Sequence, residues 1–144
     1  MASVHFYTLS AQRYESAGDV LNVVCRLTEK AVGHQHEVYI HTSSPTQSQQ
    51  LDDLLWQFRS SSFVPHSQMA GSGSHHDQVI LGDSPPPKSF KGMLINLSSA
   101  PVGSVAQFSR VNEFVGPHEA SLIIGRERYR HYKAQGIEIV TNKI

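Results

Sequence analysis

Two hydrophobic periods alternate along this chain and predict its elements. Val4-His5-Phe6-Tyr7-Thr8-Leu9 is rich in β-branched and aromatic residues and reads as an opening strand. From Gly18 to Val32 the apolar positions 20, 24, 27 and 31 make a helical stripe that stops at Gly33. Glu37-Val38-Tyr39-Ile40-His41 is a short second strand. Ser44-Pro45-Thr46-Gln47 then opens a helix, with serine as the N-cap, proline at the first helical position and glutamine at the capping-box position. Val79-Ile80-Leu81 and Met93-Leu94-Ile95-Asn96-Leu97 read as buried strands around a Pro85-Pro86-Pro87 loop, and Arg110 to Val115 as a further strand. Pro117 opens a last helix, Gly136 closes it, and Ile137-Glu138-Ile139-Val140 is a terminal strand. Strands alternating with helices predict βαβ units: one α/β domain over 1–144, a three-layer sandwich with a mainly parallel sheet. Its first and second strands are joined by a right-handed helix crossover.

The helix after Ser44 carries an anomaly. Leu51, Leu54, Leu55 and Phe58 form one apolar stripe, and Trp56 falls outside it. Phe63 follows in the proline-braced segment Ser62-Phe63-Val64-Pro65-His66. Two large aromatics off the core stripe suit a docking surface. The competing assignment tucks Trp56 under the 59–66 loop as satellite core, since tryptophan is highly buried on average.

Composition narrows the function classes. Lys plus Arg and Asp plus Glu number 12 each, so no global field holds a nucleic-acid backbone. Cys25 is the single cysteine; it excludes an internal disulfide, fits a reducing cytosol, and sits in an apolar run as a small buried hydrophobe. No stretch approaches the ~20 apolar residues of a membrane span, and no signal-peptide pattern opens the chain. A soluble, cytoplasmic protein is expected.

Candidate chemistry is sparse. Ala70-Gly71-Ser72-Gly73-Ser74 contains Gly-x-Gly but lacks the third glycine of a dinucleotide site and the Gly-Lys-Ser/Thr of a phosphate loop. His34-x-His36 and His75-His76-Asp77 lack helical i, i+4 spacing or a cysteine pair, so no metal is expected. Asp52 and Asp53 read as solvated charge, and no serine has a nucleophile-elbow context. No catalytic residues and no cofactor are assigned. A nucleotide-binding enzyme on the same scaffold is the alternative, and a direct nucleic-acid binder is disfavoured by the neutral net charge.

The last helix holds a second cluster. Leu122, Gly125, Tyr129, Tyr132 and Gly136 recur at spacings of 3, 4, 3 and 4 and read as its packed seam. Beside them Arg126, Arg130 and Lys133 form a cationic stripe bordered by Tyr129. Such a stripe suits an acidic peptide, a free carboxylate or phosphates, because arginine offers a fork of donors. It equally suits a solvated basic end that complements the helix dipole.

In combination, these residues resemble a known family. Leu51-Asp52-x-x-Leu55-Trp56, Ser62-Phe63-Val64-Pro65-His66, Ala70-Gly71-x-Gly73, Phe114-Val115, Arg126-Glu127-Arg128-Tyr129-x-x-Tyr132 and Gly136 are similar to the chi subunit of bacterial DNA polymerase III. Phe6-Tyr7-x-Leu9 and Cys25 also fit. The resemblance runs over essentially the whole chain, and is weakest from Asp77 to Val111. It implies a Rossmann-like fold with no bound nucleotide, and a non-catalytic clamp-loader accessory within a DNA-directed DNA polymerase holoenzyme. Such subunits pair with the psi subunit and capture the acidic C-terminal tail of single-stranded DNA-binding protein, meeting nucleic acid only indirectly. By this resemblance Trp56, Phe63, Val64 and Pro65 form the face for psi or, in some systems, a repair helicase. Val115, Arg126, Tyr129 and Arg130 form the tail pocket. Leu122 stands where the best-known family pattern has a lysine, a departure within that pocket.

Overall fold

The opening strand forms over Ser3–Thr8 (β1), and Ala17–Gly33 (α1) and Val38–His41 (β2) follow it. In this computed structural model the backbone is described for residues 3–10, 17–57, 66–68, 79–98, 100–103 and 105–144; side chains are described for the same residues except 17–19, 56–57 and 66–68. The remaining elements are α2 (Pro45–Gln57), β3 (His66–Gln68), β4 (Val79–Gly82), β5 (Met93–Asn96), a 3-10 turn at Val105–Gln107, β6 (Arg110–Val115), α3 (Glu119–Ala134) and β7 (Glu138–Lys143). The strand β3 and the 3-10 turn are absent from the hydrophobic pattern; three residues are too few to show a period.

Local chemistry explains the helix ends. Ser44 Oγ accepts the Gln47 N–H at 3.1 Å, and Gln47 Oε1 accepts the Ser43 N–H at 2.8 Å, so the predicted cap forms with its return bond one residue early. At the end of α1 the left-handed residue is Gln35 (φ 65°), not Gly33; the Gln35 and His36 amides bond back to the Val32 and Ala31 carbonyls. The last helix begins at Glu119, two residues beyond Pro117, with extended His118 as its N-cap. It ends as expected: Gly136 takes φ 74°, and the Gly136 and Ile137 amides close on Lys133 and Tyr132.

All described strand pairs are parallel, in a seven-stranded sheet of order β3-β4-β2-β5-β6-β1-β7. Thus β1 and β2 are parallel but not neighbours; β5 and β6 lie between them. Alternate residues feed two cores. Leu21, Val24 and Cys25 of α1 and Leu51 and Leu55 of α2 meet Val38, Ile40, Leu81 and Ile95 on one face. Tyr132 of α3 meets Val4, Phe6, Tyr39, Leu94, Val111 and Val115 on the other. The result is a three-layer α/β sandwich.

Cys25 is 1% exposed, and burial pushes its thiol up to about 12. The thiolate is the reactive form and is scarce far below that value. The native protein should therefore resist a maleimide near neutral pH, and the same cysteine should react promptly in urea. Equal rates in both states would place it at the surface.

Candidate functional site

The inner face of α3 carries Gly125, Arg128 and Tyr132, all buried. This differs from the seam expected from spacing. Leu122 is half-buried, and Tyr129 is 36% exposed, having turned toward the helix border while Arg128 points inward. The cause is Glu113 of β6, only 1% exposed. Its Oε1 accepts Arg128 Nη1 at 2.6 Å, and its Oε2 accepts the Tyr132 hydroxyl at 2.5 Å and Asn96 Nδ2 at 2.8 Å. Arg128 Nη2 also donates to the Ser98 carbonyl at 2.5 Å, and Tyr132 Oη accepts the Val102 N–H at 2.9 Å. Burial pushes the Glu113 carboxyl up, opposed by Arg128 and by the hydrogen bonds from Tyr132 and Asn96. Burial and the Glu113 charge likewise raise the Tyr132 phenol. These bonds fix the rotation of α3 on the sheet.

That rotation opens a shallow groove along the other side of the helix. About 180 Å³ in volume, it is lined by Phe6 and Thr8 of β1, Val115 of β6, Thr141 of β7, and Leu122, Gly125, Arg126 and Tyr129 of α3. Phe6 and Val115 are buried and Arg126 is exposed. The Tyr129 ring lies 5.8 Å from the Phe6 ring, and Lys133 Nζ lies 5.8 Å from the Tyr129 centroid. Tyr129 is thus held between an aromatic and a cation. Three of the four residues expected here (Val115, Arg126 and Tyr129) converge on the groove; Arg130 is exposed but does not line it. Phe6, Thr8 and Thr141 are not among the residues expected at this site, because only the order β6-β1-β7 brings those strands beside α3. Leu122 lines the groove and makes this wall apolar.

A second cavity of about 290 Å³ lies at the carboxyl ends of β5 and β6, beside Phe6 of β1; open α/β sheets bind nucleotides at such strand ends. Arg128 is the only Lys or Arg among its described lining residues, and it is already engaged by Glu113 and Ser98. Among the described residues no group of three or more His, Cys, Asp or Glu could hold a metal, and no helix is long and apolar enough to cross a membrane. The side chain of Trp56, together with Phe58, Phe63, Val64 and Pro65, the Gly71–Gly73 loop and the His75–Asp77 cluster, lies outside the described residues.

A parallel α/β sandwich with a small groove at the edge of its last helix, aromatic-walled and rimmed by arginine, defines a protein of the Rossmann-like class. The family model for "DNA polymerase III chi subunit, HolC" matches residues 1–140, and the chain belongs to that family, a component of the DNA polymerase III holoenzyme in DNA replication. It is 34% identical over 144 residues to the DNA polymerase III subunit chi of Pseudomonas aeruginosa, covering 100% of this chain and 98% of that protein. It is 29% identical over 145 residues to the corresponding subunit of Escherichia coli, covering 98% of this chain and 97% of that one.

Proposed function

We propose that this protein is a non-catalytic clamp-loader accessory, a single domain over residues 1–144, that links the psi subunit to the C-terminal tail of single-stranded DNA-binding protein. The observation that carries the tail assignment is the convergence of Val115, Arg126 and Tyr129 on one groove. An acidic tail ending in a hydrophobic residue offers a carboxylate for Arg126 and an apolar plug for the Phe6, Val115 and Tyr129 walls; Arg130 adds a charge farther along the helix. The interface is small, so binding falls in the micromolar range, ~−8 kcal/mol, and weakens with salt. Titrating a labelled tail peptide at rising salt tests this. The expected result is salt-sensitive binding that disappears when the peptide's terminal carboxylate is amidated; indifference to amidation would remove Arg126 from the carboxylate site.

The psi-facing surface, also a site for a repair helicase, is assigned to Trp56, Phe63, Val64 and Pro65. What supports it is family membership together with the place of Trp56 off the Leu51, Leu54, Leu55 and Phe58 stripe, of which Leu51 and Leu55 are buried. Truncating an aromatic anchor commonly costs about 2 kcal/mol or more. Trp56→Ala should weaken psi binding at least tenfold while the melting temperature barely moves. Unfolding of the variant would make Trp56 core instead.

A further inference from the structure

We propose that the contact between Val115 and Gly125 sets the depth of the α3-edge groove, and so selects the size of the terminal side chain it admits. This rests on the assignment of the groove to a peptide carboxyl terminus. A glycine in a helix interior is unfavourable relative to alanine, so a buried one needs a compensating reason. Here the reason is steric. A Cβ on Gly125 would lie 2.8 Å from Val115 Cγ2 and 3.0 Å from Cγ1, closer than carbon atoms pack. Val115 has little freedom to yield, since β-branched side chains are stiff at χ1. Only glycine lets α3 sit this close to β6.

The same contact partitions the space beneath the helix. Val115, Gly125 and Phe6 line both the groove and the larger cavity beyond the strand ends, so they form the wall between the two. Any shift of α3 or of the Val115 methyls changes the groove directly. At about 180 Å³ the groove falls below the roughly 300–1,000 Å³ of ordinary small-molecule sites and has room for one side chain. Leu122 and Tyr129 close it laterally. Its occupant is therefore a single ring or branched aliphatic group next to a carboxylate, with size the discriminating property.

The geometry supplies a compensating pair. From the position of an added Cβ on Gly125, the Val115 Cβ is 3.5 Å away, an ordinary contact. Gly125→Ala combined with Val115→Ala thus removes the clash and leaves the groove floor one methyl group lower. A single methylene in an apolar pocket is worth about tenfold in discrimination. The test measures melting temperature and the affinities of tail peptides ending in Leu, Phe or Trp. It compares the wild type, both single variants and the double variant. Gly125→Ala alone should lower the melting temperature and weaken every peptide. The double variant should melt above Gly125→Ala and shift the Trp-to-Phe preference about tenfold toward Trp, and Val115→Ala, which removes two methyl groups and adds none, should shift it at least as far. If the double variant melts no higher than Gly125→Ala, the contact does not position the helix and the proposal fails. A wild type that binds peptides while the variants keep its Trp-to-Phe ratio also overturns the proposal, but leaves the tail assignment standing. A wild type that binds none of the peptides overturns both.

Discussion

Glu113→Ala is expected to lower stability by about 3–5 kcal/mol, because removing one partner of a buried ion pair strands the other charge. Arg128 is 9% exposed and has its Nη1 on Glu113; without the carboxylate its guanidinium keeps, among the described residues, only the Ser98 carbonyl as a partner. Tyr132 and Asn96 lose the same acceptor, so the damage extends from β5 to α3. For a chain of this size the fall in melting temperature is on the order of 10 °C. Glu113→Gln, which keeps the shape and one acceptor oxygen, should fall between that variant and the wild type. Thermal and urea unfolding measure both. A loss under about 1 kcal/mol for Glu113→Ala would mean that solvent replaces the carboxylate, contrary to the burial of this site.

Arg126→Ala should reduce affinity for the tail peptide by roughly tenfold to a hundredfold, the range expected for a hydrogen bond to a charged group. Arg130→Ala should cost less than about fivefold, as rim charges do. The contrast is geometric: Arg126 lines the groove beside Val115 and Tyr129, and Arg130 does not. Raising the salt should narrow the gap, because Arg126 is itself exposed and screened. Calorimetric or anisotropy titrations of the three proteins decide the matter. Equal affinities would take Arg126 out of the site, and a larger loss for Arg130 would move the carboxylate along the helix.

Much of the fold is legible in the sequence. The strand at Arg110–Val115 falls on its predicted bounds, and β1, β2, β4 and β5 come within a residue or so of theirs. These elements declare themselves through local rules, such as β-branched runs, the Ser44 cap and Gly136, that act within a few residues of sequence. The site was legible only in part. Arg126 and Tyr129 stood out because they lie three residues apart on one helix, and Val115 came from the family resemblance. Arg128 belongs to the same motif, but spacing alone assigns it no role, although it is the arginine that pairs with the buried Glu113.

By itself, then, the sequence determined the α/β class and the largely parallel character of the sheet, because both follow from hydrophobic periodicity and the alternation of strands with helices. Only the tertiary structure decided the strand order β3-β4-β2-β5-β6-β1-β7, which brings β1 and β7 beside α3 and supplies Phe6, Thr8 and Thr141 to the groove. It also decided which arginine of the Arg126-Glu127-Arg128 run turns inward. That choice depends on Glu113, 15 residues away on β6, whose desolvated carboxylate needs a cation at one position of the helix. The helical repeat places Arg126 and Arg128 about 200° apart, so burying one turns the other toward the groove rim. No local rule contains that constraint, because it arises where a strand and a helix distant in sequence meet.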